Sequence, residues 1–398
     1  MSKSHPTSLT RRSFLTAAIA SAAGLASLNL LKAQTSSGKE TQQPVKIGYL
    51  AITDSTPLLI AHANKLYEAE GLNAEQPVLF RSWAQISEAF IAGQVNVVHL
   101  LSPIAIWLRY NKRFPAKIVA WNHTNGSALT AQPDLKSIKD LGGKTVAVPF
   151  WYSIHNIVLQ ILLRDAGLKL NLQGEASNIP EDEVKLVVLP PPDMISALAN
   201  RSISGFIVAE PFNAAAENLR IGGILRFTGD VWQDHACCVV LLKEEDIQQN
   251  REWSQRVVNA VVRAQEWLST HRHEAAIILS RESGRNYTPH PLSAVDRVLS
   301  DREIDSYVQT GAIKHPTWHE QRIGFQPFPF PSYTEELVRR LKDTTIEGNK
   351  SFLDQLDPGT VARDLVDDSL VRIALDQTGG PGAFHLDPSL IRTETVLV

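Results

Sequence analysis

Short runs of apolar residues alternate along the chain with longer segments in which apolar positions recur at helical spacing. The run VKIGYLAI (45–52) predicts a buried strand, and the segment from Pro57 to Gly71 has the periodicity of a helix. The same order recurs, with strands predicted at PVLF, VNVVHLL, KIVAWNHT and GSALTA and with helices that begin near Trp83 and Ser102. Since helices separate most of these strands, the alternation is typical of an α/β protein with a parallel sheet.

A second set of elements begins near Pro133, where the pattern starts again. Residues 93–103 (GQVNVVHLLSP) and 201–211 (RSISGFIVAEP) share a helix end, a short apolar strand and a turn opened by proline. This internal similarity predicts two lobes of similar build. Further helices are predicted at 251–281, 292–300, 334–347 and 360–376.

The first 33 residues have the features of an export signal. Arg11 and Arg12 precede a moderately apolar run that ends at Leu31, and cleavage near Ala33 would leave a polar linker over residues 34–44. The alternative is an N-terminal tail with a chance pair of arginines. We therefore expect a twin-arginine signal peptide over 1–33 and a periplasmic protein. Since no cysteine lies near the cleavage point, we expect no lipid anchor.

Composition excludes some classes of function. The formal net charge is −3, and the first 33 residues contribute four basic side chains and no acidic one. The remaining chain is therefore acidic and has no basic block, so we expect no binding to nucleic acid. The two cysteines, Cys237 and Cys238, lie in the apolar run HACCVVLL and are predicted to be buried thiols.

Common enzyme and metal motifs are absent from the sequence. It contains no glycine-rich dinucleotide fingerprint, no P-loop, no G-x-S-x-G elbow and no H-E-x-x-H helix. His315 and His319 have the spacing of two metal ligands on a helix, but Pro316 and the lack of a matching third ligand argue against a metal site. We therefore expect no catalytic residue, no metal and no cofactor.

Small polar residues recur where a predicted strand passes into a predicted helix. These turns are Thr53-Asp54-Ser55, Ser82-Trp83, Ser102-Pro103 and Ser153-Ile154-His155. A helix N-terminus presents unpaired N–H groups to an anion, although each serine or threonine alone is also a simple N-cap. Because ligands bind at the carboxyl ends of strands in α/β sheets, the set favours a small anion held between two lobes.

Several stretches resemble one known family. They include GYLAITDSTPLLIAHANKLYEAEGL, Ser82-Trp83, HLLSP, NHTNGSALT, VLPPPDMISAL, GFIVAEPFNAAA, TGDVWQDHACCVVL and FLDQLDPGTVARDLVDDSLVRIAL. Together, over about 45–376, they resemble the nitrate, taurine and bicarbonate group of ABC-transporter substrate-binding proteins. The resemblance implies the type II periplasmic binding protein fold, an α/β fold with two lobes, a hinge and a central ligand cleft.

The resemblance also implies lobe limits and a site. Lobe 1 is expected at 45–130 and 230–330, lobe 2 at 131–229, and a C-terminal helical extension at 331–398 that packs on lobe 1. It implies that Trp83, Ser127, His155, Glu210 and Gln233 bind the ligand. The strand-to-helix turns add Thr53, Asp54, Ser102 and Ser153 to the expected ligand-binding residues, and Trp151, just before Ser153, is expected to supply an apolar wall. Ser127 stands where nitrate binders tend to carry glutamine, and Gln233 stands where some members carry a charged residue.

The function that the resemblance implies is capture of a small anion for an importer. The anion would be nitrate or nitrite, a sulfonate such as taurine, or bicarbonate, delivered by a monomer to a cognate permease and ATPase in the inner membrane. One alternative is a protein of the same fold that binds or makes the thiamine pyrimidine precursor. Another is a periplasmic ligand sensor.

Overall fold

The computed structural model describes residues 43–172, 178–300, 304–315 and 322–398. The predicted signal peptide over 1–33 and most of the predicted linker lie outside these residues. From Pro44 to Val398 the chain forms one compact unit.

Thirteen strands form three sheets within the described residues. In chain order the strands are β1 (Ile47–Leu50), β2 (Val78–Phe80), β3 (Val97–Leu101), β4 (Ala116–Trp121), β5 (Thr124–Asn125), β6 (Ser127–Ala131), β7 (Lys144–Val148), β8 (Lys169–Asn171), β9 (Glu183–Val188), β10 (Gly205–Ala209), β11 (Gly223–Phe227), β12 (Cys238–Lys243) and β13 (Ile323–Gly324).

Sixteen α-helices lie between and around these sheets in the same residues. They are α1 (Thr56–Ala63), α2 (Leu66–Ala69), α3 (Trp83–Ile91), α4 (Ser102–Ile106), α5 (Ile154–Asp165), α6 (Pro191–Ala199), α7 (Phe212–Asn218), α8 (Thr228–Val231), α9 (Glu244–Gln249), α10 (Arg251–Leu268), α11 (Arg272–Leu279), α12 (Leu292–Leu299), α13 (Ile304–Thr310), α14 (Pro331–Asp343), α15 (Pro358–Leu365) and α16 (Ser369–Gln377).

The two large sheets have the same strand arrangement. The first has the order β2-β1-β3-β12-β4, and the second has the order β11-β6-β10-β7-β9 with β8 added at the edge. In the first, β1 is parallel to β2 and β3, while β12 is antiparallel to β3 and β4. In the second, β7 is parallel to β9 and β10, while β6 is antiparallel to β10 and β11. The similar sequences 93–103 and 201–211 thus contain β3 and β10, which occupy equivalent positions in the two sheets.

The prediction of a parallel sheet is wrong at one strand of each large sheet. β12 follows β11 of the second sheet, β6 follows β4 of the first sheet and β5 of the small one, and each runs against its neighbours. The predicted lobe limit at 130 falls inside β6, whose five residues all pair with β10. The chain therefore changes sheet between β5 and β6.

Close packing in the second sheet explains one glycine. Gly205 begins β10, which pairs with β6 on one side and with β7 on the other. A Cβ atom at this position would lie 2.9 Å from the carbonyl oxygen of Thr130, closer than real Cβ contacts allow. A larger residue here would push β10 away from β6.

The C-terminal segment from α14 onward contacts elements of both large sheets. On the side of the first sheet, α16 packs on α10 and β4, and Val366 forms a parallel bridge with Ile118. On the side of the second sheet, Gln160 of α5 hydrogen-bonds the backbone of Thr345. The segment thus reaches beyond the first lobe on which it was predicted to pack. Among the helices of the described residues, none has the length and apolar character needed to cross a membrane.

Candidate ligand site

The ends of strands from the two large sheets meet at Thr53 and Glu210. Thr53 begins a short 3-10 turn after β1, and Glu210 follows β10. The Thr53 backbone N–H donates to the Glu210 carbonyl oxygen over 2.8 Å, and the Thr53 hydroxyl donates to the same oxygen over 3.1 Å. This contact places the carboxyl ends of the two strands together, where ligands bind in α/β proteins.

Next to Thr53, Asp54 belongs to a buried group that we name the histidine–cysteine cluster. Its members are wholly buried titratable side chains contributed by several separate segments. They are Asp54, His99, His123, His155, His235, Cys237 and Cys238.

Asp54 and His123 form a buried ion pair within the cluster. Asp54 Oδ2 lies 2.9 Å from His123 Nε2, and neither side chain has any exposure. Burial raises the pKa of Asp54 to about 6, although the neighbouring His123 opposes this. Burial works against the charged form of His123, but Asp54 outweighs it and raises the pKa of His123 to about 10. Each group thus favours the charged form of the other.

The two thiols lie beside this pair, and both cysteines are free and buried as predicted. Cys238 donates through Sγ to Asp54 Oδ2 over 3.2 Å. Burial alone would raise the pKa of Cys237, but its contacts with Cys238, His155 and His123 outweigh burial and hold that pKa below its usual range. Both thiols are thus in contact with charged or titratable members of the cluster.

Ser127 and His155 approach the cluster from the second sheet. Ser127 is the first residue of β6, and His155 lies in the first turn of α5. Ser127 Oγ is 2.9 Å from His155 Nε2, and that nitrogen is 3.8 Å from Cys237 Sγ. The structure therefore brings together two of the predicted ligand residues, one on a strand and one at a helix start.

Trp83 and His99 are in contact, and each carries a buried donor. Their rings meet edge to face with centroids 5.6 Å apart. Burial lowers the pKa of His99 to about 3, and the Leu50 N–H donates to His99 Nε2, so the proton of this neutral ring is on Nδ1. Neither Trp83 Nε1–H nor His99 Nδ1–H has a hydrogen-bond partner among the described residues. Two buried N–H groups are thus left to donate to another molecule.

His235 is held in a single orientation by the backbone. Its Nδ1–H donates to the Trp232 carbonyl oxygen over 2.8 Å, and burial lowers its pKa to about 4. Its Nε2 is consequently an acceptor, and it has no partner within the part of the chain that the structure describes. Sequence analysis did not select this residue.

The hydroxyls of Ser102 and Ser153 are satisfied inside the protein. Ser153 caps α5, since its Oγ accepts from the Asn156 N–H over 3.0 Å, which is the N-cap alternative considered from the sequence. Ser102 Oγ donates to the Ala236 carbonyl oxygen over 2.9 Å and lies 2.9 Å from the Tyr333 hydroxyl. Both residues thus support the elements that carry the site.

Trp151 and Gln233 contact the C-terminal segment. Trp151 is half-buried, and its Nε1–H donates to Glu347 over 3.1 Å. The backbone N–H of Gln233 donates to the Thr395 carbonyl oxygen over 3.0 Å. The structure shows no contact between either residue and the histidine–cysteine cluster among the interactions of the described residues.

Glu210 has a partner that the sequence did not indicate. It was expected in the ligand site, but its Oε1 accepts from Arg322 over 2.9 Å and its Oε2 accepts from the Ala214 N–H over 3.0 Å. Burial raises the pKa of Glu210, and the Arg322 guanidinium opposes this. Arg322 lies 112 residues further along the chain, so no local pattern could have paired the two.

The expectation of no metal site considered the histidine pair 315 and 319, and it stays a prediction. His319 lies outside the described residues, and His315 donates through Nδ1 to the Asp230 carbonyl oxygen over 2.9 Å. Elsewhere, four side chains offer one ligand atom each, all within 4.8 Å of one another. They are Asp54, His123, Cys237 and Cys238.

A separate cavity of about 660 Å³ lies beside the small sheet formed by β5 and β13. Thr124, Gly324, Arg272 and Arg392 are among the residues that line it. Its lining contains none of the ten predicted ligand residues and no member of the histidine–cysteine cluster. The chemistry of the candidate site therefore lies elsewhere.

A family model described as the NMT1-like family matches residues 38–280, more than half of the chain. The chain belongs to this family. The matched residues include β1 through β12. They therefore contain both large sheets and the whole histidine–cysteine cluster.

The curated relatives include nitrate proteins of cyanobacteria. The nitrate/nitrite binding protein NrtA of Nostoc sp. is 26% identical over 269 residues, which cover 62% of this chain and 57% of NrtA. The nitrate import ATP-binding protein NrtC of Synechocystis sp. is 26% identical over 241 residues, which cover 58% of this chain and 36% of NrtC. The matched part thus spans about half the length of NrtA and about a third of NrtC.

Solved structures show the fold. The periplasmic nitrate-binding protein NrtA from Synechocystis superposes with a TM-score of 0.69 at 18% identity, over 87% of this chain and 92% of that one. A zinc-bound ligand-binding component of an ABC-type import system from Staphylococcus aureus has a TM-score of 0.64 at 22% identity, over 84% and 99% of the two chains. The predicted periplasmic binding protein fold and the predicted relatives are confirmed.

Proposed function

We propose that this protein is the substrate-binding component of an ABC importer and captures a small anion. The relatives named as nitrate-binding proteins support this class of ligand, and the ATP-binding relatives support an ATPase and a permease as partners. The protein binds the anion as a monomer and delivers it without chemical turnover.

The observation that carries the proposal is the pair of buried donors on Trp83 and His99. A buried donor without a partner costs about 1–3 kcal/mol, and an oxyanion that accepts from both removes that cost. A small anion offers little apolar area, so its affinity must come from donors that converge on it out of water. Ser127 and His155 supply further polar groups from the second sheet.

The Asp54 carboxylate does not oppose an anion here, because it is already paired. Its Oδ2 faces His123 at 2.9 Å, and the pair as a whole carries no net charge. Glu210 is neutralised in the same way by Arg322. The groups near the site that lack a partner among the described residues include the N–H donors of Trp83 and His99, which suit nitrate, bicarbonate or a sulfonate.

The test is a calorimetric screen of nitrate, nitrite, bicarbonate, taurine and an alkanesulfonate against the purified protein. We expect one of these anions to bind. The variant His99→Phe should weaken the binding of that anion about tenfold or more, although its phenyl ring still packs against Trp83. His290→Phe is the matched control, since His290 is buried and its Nε2 donates to the Ala51 carbonyl oxygen. Equal affinity of His99→Phe and the native protein would contradict the proposed donor.

We also propose that the two large sheets belong to two lobes that close over the anion. The equivalent strand arrangement supports two lobes, and the hinge would lie in the two crossings that precede β6 and β12. Small-angle scattering should show compaction when the anion found in the screen is added at saturation. An unchanged radius of gyration would instead favour a rigid site.

Export by the twin-arginine pathway is a further part of the proposal. It rests on Arg11 and Arg12 ahead of a weakly apolar run. Replacing both arginines by lysine should leave the precursor in the cytoplasm. Normal export of that variant would rule out this route.

A further inference from the structure

We propose that Asp54, His123, Cys237 and Cys238 form a binding site for a divalent transition-metal ion, with Zn²⁺ as the best match. The site goes beyond anion capture and does not depend on it. Its four ligand atoms come from three separate parts of the chain: the turn after β1, the segment after β4 and the start of β12.

The first argument is geometry. A tetrahedral Zn²⁺ with bonds of about 2.0–2.3 Å holds its ligand atoms roughly 3.5 Å apart. Asp54 Oδ2 is already 2.9 Å from His123 Nε2 and 3.2 Å from Cys238 Sγ, and all four ligand atoms lie within 4.8 Å of one another. A movement of about 1 Å by the most distant pair would complete the site.

The position of the two cysteines makes this possible. Consecutive residues of a regular strand face opposite sides of a sheet, so adjacent cysteines within a strand could not reach one ion. Cys238 is the first residue of β12, and Cys237 lies before it, outside the regular strand. Both sulfur atoms can therefore approach the same point.

The second argument is the chemistry of the donor set. Two thiols and an imidazole are the ligands that Zn²⁺ prefers, and a carboxylate is its common oxygen ligand. Hard cations such as Mg²⁺ and Ca²⁺ require oxygen ligands and would leave the two sulfur atoms unused. On binding, Zn²⁺ takes the place of the protons on the two thiols and of the proton on His123 Nε2, all of which pass to solvent, and no electron is transferred.

The third argument is unmet hydrogen-bonding capacity in a site without solvent exposure. Asp54 Oδ1 and His123 Nδ1 have no hydrogen-bond partner among the described residues, although both side chains are wholly buried. Asp54 Oδ2 already faces His123, so the unmet capacity of this carboxylate lies on Oδ1. A buried polar atom without a partner is costly, and a metal ion bound by the carboxylate would be a second cationic partner for it.

The experiment uses the full chain, purified and stripped of metal with a chelator, and Co²⁺ as a spectroscopic probe. We expect about one equivalent of Co²⁺ to produce thiolate-to-metal charge-transfer absorption, which Zn²⁺ then abolishes by replacing it. Zn²⁺ should also raise the thermal unfolding temperature, because a ligand that binds only the native state stabilises it. A spectrum without a thiolate band would overturn the proposal, whatever the variants do.

Variants then locate the site. Cys238→Ala and His123→Ala should each weaken Zn²⁺ binding by more than about 100-fold. Loss of a residue that only hydrogen-bonds a metal ligand costs up to about 100-fold, and loss of a ligand itself should cost more. His290→Ala is the matched control, because it also removes a buried imidazole but lies outside the four ligands. Unchanged Zn²⁺ affinity in folded Cys238→Ala would place the metal elsewhere and overturn the proposal.

The two proposals fail separately. Metal titration uses Zn²⁺ or Co²⁺ alone, whereas the anion screen uses metal-free salts and the donor variant His99→Phe. A chain that binds Zn²⁺ but no anion would refute only the proposed transport ligand. A chain that binds an anion but gives no thiolate band would refute only the metal site.

Discussion

Thr53 and Glu210 join the two large sheets directly. One carbonyl oxygen of Glu210 accepts both the backbone N–H and the hydroxyl of Thr53, at 2.8 and 3.1 Å. Since Thr53 follows a strand of the first sheet and Glu210 a strand of the second, the contact spans the line along which the candidate ligand residues lie. The Glu210 side chain meanwhile points its carboxylate at Arg322, so backbone and side chain of one residue have separate structural tasks.

Trp83→Phe should weaken binding of the anion identified in the screen about tenfold or more, because it removes one N–H donor to a charged ligand and keeps an aromatic ring. The stability of the ligand-free protein should be unchanged or slightly higher, since an unpaired buried donor has been removed. Calorimetry and urea denaturation measure the two effects.

Trp253→Phe is the control for that experiment. Trp253 is also buried, and its Nε1 likewise lacks a partner among the described residues, but it lies on α10 and is not one of the predicted ligand residues. Its affinity for the anion should equal that of the native protein. Equal losses in both variants would mean that Trp83 acts through packing alone.

Glu210→Gln should destabilise the protein by about 3 kcal/mol without weakening anion binding, because it leaves the Arg322 charge buried without its nearest partner. Glu217→Gln is the matched comparison. Glu217 accepts from Arg322 over 3.0 Å but is partly exposed, with 15% of its side chain accessible, so its loss should cost less. Urea denaturation gives both free energies of unfolding.

A different outcome would restore the ligand role that the sequence suggested for Glu210. If Glu210→Gln kept native stability but changed anion affinity, the carboxylate would act on the ligand and its pairing with Arg322 would be secondary. The two measurements on one variant therefore separate the two roles.

Sequence reasoning was most successful where the signal is local. The similarity between 93–103 and 201–211 correctly predicted equivalent strands, because a buried strand and a proline-opened turn have a short, regular pattern. Trp83 was selected through the family resemblance, and in the structure it is the first residue after an N-cap serine. His99 was not selected, because a histidine inside an apolar strand is expected to be a core residue. Only the structure shows its ring in contact with Trp83.

Contacts between distant segments could not be predicted from the sequence. Asp54, His123 and Cys237 come from separate turns, and only the fold brings them within reach of one another. Arg322 likewise follows a stretch with no strand or helix pattern, so its pairing with Glu210 had no sequence signal. The parallel sheet was overpredicted because a strand that enters from the other sheet has the same composition as its neighbours.

Gln160→Met should loosen the attachment of the C-terminal segment to α5. Gln160 donates through Nε2 to the Thr345 carbonyl oxygen and accepts at Oε1 from the Thr345 N–H, each over 2.8 Å. Loss of both hydrogen bonds should lower the free energy of unfolding by about 2–3 kcal/mol. Limited proteolysis should also cut sooner near Thr345.

Gln132→Met provides the comparison for this pair of hydrogen bonds. Gln132 is also buried, but its Nε2 donates a single bond, to the Ile203 carbonyl oxygen over 3.0 Å. It should cost about 1 kcal/mol and leave proteolysis near Thr345 unchanged. The same proteolysis rate in both variants would show that Gln160 does not hold the segment.

Asp364→Asn should destabilise the protein near neutral pH, and this loss should become smaller as the pH falls below about 4. Two hydrogen bonds from Arg109, of 2.6 and 2.7 Å, and one from the Tyr110 hydroxyl hold the pKa of Asp364 well below its usual range. A carboxyl whose pKa is lower in the folded state stabilises the fold above its unfolded pKa of about 4, and that stabilisation is lost as the pH falls toward the folded value. Since 40% of the side chain is exposed, water screens the interaction and we expect about 1–2 kcal/mol at neutral pH. The measurement is the difference in unfolding free energy between native protein and variant, by urea denaturation from neutral pH to about pH 3.

Asp376→Asn, at an exposed position of the same C-terminal segment, should show no such difference at any pH. A difference for Asp364→Asn that stayed constant down to the lowest pH would mean that its charge contributes nothing and that the variant acts through shape alone.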